Sequence, residues 1–140
     1  MIMIKELFLN NRSIFLFLLF MGFSSAFAQK YTYEVYASVD MDVTTGELIG
    51  QAVQKSIVIV HDCDNNILYD ENGSKFSLYN KRNSVSGLTH FVTYDAIDSH
   101  MVKYVVTFSE TDLEDPEFKY NIIIYPLGSH LGTMFFCIKI

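Results

Sequence analysis

His61 and Cys63 are the residues whose types and spacing come closest to catalytic chemistry. Alternate residues of a β-strand share a face, so the two side chains would be able to pair. A thiol needs a neighbouring base to become a reactive thiolate. However, no motif supplies an oxyanion hole, and the chain lacks the G-x-S-x-G sequence. A small hydrolase using His61 and Cys63 is therefore the least favoured function, and we predict no enzyme activity.

The string that begins at Asp62 places oxygen ligands at alternating positions, Asp62, Asp64 and Asn66. An EF-hand calcium loop opens in this way. The match then fails, because the sixth position is Ile67 instead of Gly and the twelfth is Gly73 instead of Glu. A hairpin turn explains the same residues. The four histidines are 29, 10 and 30 residues apart, which does not fit zinc spacing. We predict no metal and no other cofactor.

The chain begins with the three parts of a secretory signal peptide. Lys5 and Arg12 make the start mildly positive, residues 14–23 are apolar, and Ala26-Phe27-Ala28 forms a small-x-small site. The alternative is an uncleaved anchor, but spanning a bilayer takes about 20 apolar residues and this stretch is shorter. We predict cleavage after Ala28 and a soluble product, periplasmic or secreted, without a stable membrane span.

Residues 29–140 then form a single exported domain. This part has eight basic and fifteen acidic residues, hence a net charge of −7, and its basic residues are scattered. Nucleic-acid binding requires clustered basic residues, so it is excluded. An oxidising compartment permits a disulfide between Cys63 and Cys137, while two separate buried thiols are the alternative. The sequence leaves both open, and it does not indicate the oligomeric state.

The domain must be built from strands. Apolar and polar residues alternate from residue 31 to residue 43, residues 56–61 are apolar on both faces, and residues 133–140 form the closing strand. We expect residues 80–88 to form a polar loop, and residues 47–55 fit either helical turns or an edge strand. About eight short strands separated by turns predict an all-β antiparallel meander, closed as a barrel or folded as a sandwich.

Two surface features are candidate binding sites. Tyr36 falls on the polar face of the first strand, where aromatic residues often make contacts with partners. An acidic segment would suit a basic partner or a cation, although solvated connections are commonly acidic too. Its carboxylates are Glu110, Asp112, Glu114 and Asp115, followed by Glu117.

An export signal, a β scaffold and no catalytic motif favour a non-catalytic binding module that recognises a protein or a glycan. The alternative is a carrier of a small apolar ligand inside a barrel, which resembles the lipocalins in architecture only. The chain has no Trp, so the Gly-x-Trp signature of that family is absent. With 112 residues, an eight-stranded barrel would be shallow, and we expect side chains to fill its interior.

Overall fold

Eight antiparallel strands form one closed barrel in the computed structural model, which describes residues 29–112 and 119–140. The strands are β1 (Lys30–Asp42), β2 (Leu48–Asp62), β3 (Ile67–Asp70), β4 (Lys75–Ser86), β5 (Thr89–Asp98), β6 (Lys103–Thr111), β7 (Tyr120–Pro126) and β8 (Leu131–Lys139). Each strand pairs with the next, and β8 pairs with β1. The all-β prediction is confirmed, and the barrel is the form adopted. The proposed leader, residues 1–28, lies outside the described residues.

The middle of the barrel is filled with side chains. Every second residue of a strand points inward, so β6 presents Tyr104, Val106 and Phe108 in turn from one end of the barrel to the other. The side chains at mid-height are the most completely buried. They include Leu68, Val106, Ile122 and Cys137. The expected filling of the interior therefore holds for this central layer, whereas the two ends of the barrel are open.

A β-bulge at Tyr36 changes which residues of β1 face inward. The register of β1 shifts between Val35 and Ala37 against both β2 and β8. A bulge inserts one extra residue and reverses the alternation beyond it. Val35 is thus part of the core, while further along the strand Asp40 lines the interior at one end. The sequence alternation predicts that the same alternate residues face inward along the whole of β1. The bulge changes which residues face inward beyond Tyr36.

Two segments extend the strands beyond the sequence prediction. Residues 47–55 belong to β2 from Leu48 onwards, so the edge-strand alternative is the observed one. The predicted polar loop 80–88 is wrong up to Ser86, because β4 continues through a bulge at Asn80. The carboxylate of Asp95 accepts hydrogen bonds from Asn80 Nδ2 at 2.8 Å and Arg82 Nη2 at 3.1 Å. Cross-strand bonds of this kind let polar residues continue a strand.

Replacing Gly132 with Ala should destabilise the barrel. A Cβ at this position would lie 2.8 Å from Tyr125 Cβ and 3.1 Å from both the Ile124 carbonyl oxygen and Val43 Cγ1. Relieving such overpacking requires backbone movement, which costs about 1–3 kcal/mol. Urea denaturation measures the effect as a lower unfolding midpoint.

Gly73→Ala is the control, because an added Cβ there meets nothing within 4 Å and carries only the strain of a positive φ. Gly132→Ser should have a lower urea unfolding midpoint than Gly132→Ala, because its side chain is larger. Gly73→Ser should have the same midpoint as Gly73→Ala, because residue 73 has open space around it. A Gly132→Ala protein as stable as the parent would contradict this account.

Candidate functional site

The barrel interior opens into a cavity at each end, one on either side of the central layer. The apolar cavity has a volume of about 530 Å³ and lies among the end of β1, the start of β6 and the start of β8. The polar cavity has a volume of about 360 Å³ and lies at the opposite ends of the same strands. Antiparallel strands alternate in direction, so each cavity is built from residues distant in sequence.

Aliphatic and aromatic side chains form the wall of the apolar cavity. The main ones are Ile57, Phe76, Tyr104, Ile124 and Phe135, all only partly buried. The rings of Phe76 and Tyr104 meet edge to face, with centroids 5.0 Å apart. Ile59 and Leu68, which belong to the buried core, form the floor. The cavity therefore leaves uncovered apolar surface that a ligand would cover.

The mouth of the apolar cavity is acidic. Asp40 is exposed there, and Asp70 is the last residue of β3. The Asp70 carboxylate accepts hydrogen bonds from the backbone amides of Asn72 and Ser74, each at 2.9 Å, which fixes its position. None of the described residues that line this cavity is Lys, Arg or His. The described lining residues thus bring two negative charges and no positive charge to the mouth.

His61 is the central side chain of the polar cavity. It is 5 % exposed, stacks on Phe108 with ring centroids 4.6 Å apart, and meets Tyr94 edge to face at 5.5 Å. Burial lowers the pKa of His61 to about 4, and the nearby positive charge of Lys81 contributes in the same direction. A charged imidazole would lose its hydration among these rings, so His61 is neutral at pH 7.

Cys63 lies against His61, as the strand alternation predicts. The Cys63 Sγ is 3.7 Å from Nδ1 and 3.8 Å from Nε2 of His61. Burial raises the pKa of the Cys63 thiol, the nearest carboxylates add to this, and Lys81 opposes it. The resting pair is therefore a neutral thiol beside a neutral imidazole, whereas an activated cysteine would be a thiolate.

Two lysines bring positive charge to the polar cavity. Lys139 Nζ lies 4.1 Å from the ring centroid of Tyr31 and 5.4 Å from that of Tyr120, close enough for cation–π attraction. Lys81 lines the same cavity. In the described part of the chain, the ion pairs join Lys30 to Asp62 and Arg82 to Asp95, so neither cavity lysine has a carboxylate partner there.

The candidate calcium ligands are used by the β2–β3 turn. The Asp62 carboxylate accepts hydrogen bonds from the backbone and side-chain amides of Asn65, at 3.2 Å and 2.9 Å. The Asn65 side chain contributes most to lowering the pKa of Asp62. Asp64 accepts from the backbone amide of Gln29, and Asn66 adopts a positive φ. Within residues 29–112 and 119–140, no three His, Cys, Asp or Glu side chains are grouped to hold a metal ion.

Both cysteines are free thiols in the structure. Cys137 lies in the central layer on β8, fully buried, and burial raises its pKa to about 12. Cys63 is half-buried at the end of β2. The disulfide that the sequence permits is not formed here.

The two candidate binding surfaces fall in different places. Tyr36 is the bulge residue of β1, and its ring lies 6.3 Å from that of Phe136. Glu110 lines the polar cavity, and the backbone amide of Asp112 bonds to the Leu88 carbonyl. Glu114, Asp115 and Glu117 lie outside the described residues.

The sequence analysis did not predict Lys81 and Lys139 as site residues. It also did not predict which apolar residues line a cavity. Lys139 does have a signal in the sequence, since it shares the inward alternation of Phe135 and Cys137 on β8. Lys81 has none, because its position depends on the bulge at Asn80.

Lowering the pH from 7 to 4 should destabilise the fold through His61. Its pKa is about 4 in the folded protein and about 6.5 in the unfolded chain, which therefore binds more protons between these values. The contribution of neutral His61 is complete above pH 6.5 and is lost as the pH falls towards 4, by up to about 3 kcal/mol.

Urea denaturation at pH 7 and pH 5 measures this loss. A His61→Phe variant should lose less stability over the interval than the parent does. His100→Phe alters an exposed turn residue and should retain the parental pH dependence. The same pH dependence in the parent and in His61→Phe would refute the assignment.

The described residues contain no helix long and apolar enough to cross a membrane. Comparison of the chain with protein-family models, with curated proteins and with solved structures found no match.

Proposed function

We propose that this protein is a non-catalytic binding protein that carries a small apolar molecule in the apolar cavity. The observation that carries this proposal is the cavity itself, with a volume of about 530 Å³ and an apolar wall. Ligand sites in proteins are typically clefts of about 300–1,000 Å³ lined mainly by hydrophobic and aromatic side chains. The cavity falls within that range in both size and lining.

Uncovered apolar surface supplies the driving force for binding. Ile124 and Phe135 pack against the core on one side and border the cavity on the other. Covering such surface contributes about 25 cal/mol per Å² removed from water. The central layer beneath the cavity is fully packed, so a ligand would enter a preformed site. A preformed site reduces the ordering that binding requires.

The acidic mouth restricts the polar end of the ligand. Asp40 and Asp70 would repel a carboxylate or phosphate there, and the described lining residues include no basic side chain to compensate. A hydroxyl or amide would be accepted, and an ammonium group would be attracted. The proposed ligand is therefore an apolar molecule whose polar end, where it has one, is neutral or cationic.

Of the two binding functions that the sequence favours, the cavity supports the carrier. A module for a protein or glycan would use an outer sheet face or a cluster of loops, and that function stays a prediction. The similarity to lipocalins is again one of architecture, an eight-stranded antiparallel barrel with an internal cavity.

We place this carrier outside the cytoplasm, on the strength of the leader in residues 1–28. The expected product begins at Gln29. Intact-mass measurement of the protein from the extracytoplasmic fractions of its own host tests this. A protein that retains residue 1, or that sediments with the membranes, would refute export by cleavage.

The neutral fluorescent probe N-phenyl-1-naphthylamine should bind saturably, with enhanced fluorescence. Thr133 faces into the apolar cavity, so Thr133→Trp fills part of the site. We expect this variant to bind the probe at least tenfold more weakly, because the probe and the indole would compete for one volume. Thr133→Phe should give an intermediate loss.

Leu88→Trp is the matched control, since Leu88 is exposed at the opposite end of the barrel. It should bind the probe as the parent does. Dodecylamine should displace the probe better than dodecanoate, and Asp40→Asn should reduce that preference. The proposal fails if probe binding is not saturable, or if a folded Thr133→Trp protein binds as tightly as the parent.

A further inference from the structure

We infer that the polar cavity is a second, separate binding site, which takes a small aromatic carboxylate. The central layer lies between the two cavities, with Val106 and Ile122 fully buried. The polar cavity shares no lining residue with the apolar one. It is also smaller, at about 360 Å³, which suits a ligand of one or two rings. This inference does not depend on the proposed function of the apolar cavity.

The charge of the polar cavity favours an anion. Lys81 and Lys139 line it without a carboxylate partner in the described part of the chain, and His61 there is neutral. Among the described residues that line the cavity, Glu110 is the one carboxylate, so their net charge is positive. The whole chain has a net charge of −6, which makes a positive cavity an exception on this protein.

Asp62 and Asp64, the two aspartates that flank Cys63 of this cavity, are engaged with other partners. Asp62 lies 4.0 Å from Lys30 Nζ and accepts from Asn65, while Asp64 accepts from the Gln29 amide. Neither therefore neutralises Lys81 or Lys139 by direct contact. An incoming carboxylate would provide the missing partner and form charge-assisted hydrogen bonds.

The walls favour a flat, unsaturated body for the ligand. Tyr31, Tyr33 and Tyr120 line the cavity together with Tyr94 and Phe108. The Phe108 ring stacks on His61 and lies 6.0 Å from the Tyr33 ring, so these rings form one contiguous aromatic wall. Aromatic rings pack best against other rings in stacked or edge-to-face contacts. A benzoate-like molecule would place its ring here and its carboxylate at the lysines.

The geometry also predicts how Cys63 would respond. Its thiol lines the polar cavity and is half-buried, whereas Cys137 is fully buried in the central layer. A ligand seated in the cavity would shield Cys63 and leave Cys137 unaffected. Alkylation of Cys63 is therefore a local report on occupancy.

Titration of the purified protein with benzoate and with benzamide, followed by calorimetry or saturation-transfer NMR, tests the inference. Benzoate should bind at least about tenfold more tightly than benzamide, its neutral isostere. Lys81→Gln and Lys139→Gln should each weaken benzoate binding about tenfold, and added salt should weaken it in the parent. Bound benzoate should slow the alkylation of Cys63 by iodoacetamide.

Lys75→Gln is the matched control, because Lys75 is exposed at the other end of the barrel. It should leave benzoate binding unchanged. Lys139→Arg keeps the charge and should retain most of the affinity, which separates loss of charge from loss of packing. Thr133→Trp should bind benzoate as the parent does, because Thr133 lines only the apolar cavity. The tests of the two cavities can therefore fail independently. Equal binding of benzoate and benzamide, no binding at millimolar benzoate, or indifference to both lysine substitutions would overturn the inference.

Discussion

Closure of the antiparallel ladder is the constraint on which the rest of this structure depends. Because β8 pairs with β1, the sheet closes on itself, and the inward side chains of all eight strands must share one interior. Inward residues at mid-height meet their counterparts from every side and become fully buried, as Val106 and Ile122 are. Those near the ends meet fewer partners, which leaves a cavity on either side of one packed layer.

The two ends of the barrel present different residues and therefore different charges. Successive strands run in opposite directions, so each strand contributes its first residues to one end and its last residues to the other. On β1, Tyr31 lies at the polar cavity and Asp40 at the apolar one. On β8, Phe135 and Lys139 divide in the same way. An acidic mouth and a basic cavity thereby coexist on one small barrel.

The sequence predicts the strands well because alternation is a local property, and it predicts the site poorly because cavities depend on register. The pairing of His61 with Cys63 needed only that alternate residues share a face. Asp40 reaches the apolar cavity only because of the bulge at Tyr36, which no local pattern marks. Asn80 and Lys81 are polar and therefore resemble loop residues in the sequence. The Asp95 carboxylate that stabilises their bulge lies on another strand, so no local pattern predicts that β4 continues.

The placement of apolar residues at the open end links stability to binding. A small domain buries a limited fraction of its surface, and Ile124 and Phe135 leave part of theirs facing a cavity in place of a partner. Because this apolar surface is not covered in the folded protein, it does not contribute to the free energy of folding. A ligand that covers it would gain that contribution on binding. A molecule that binds the folded barrel and not the unfolded chain raises the free energy of unfolding. At saturating concentrations this increase grows with the logarithm of the ligand concentration divided by Kd. The apolar cavity is thus the place where an incompletely packed core and the proposed binding site are the same feature.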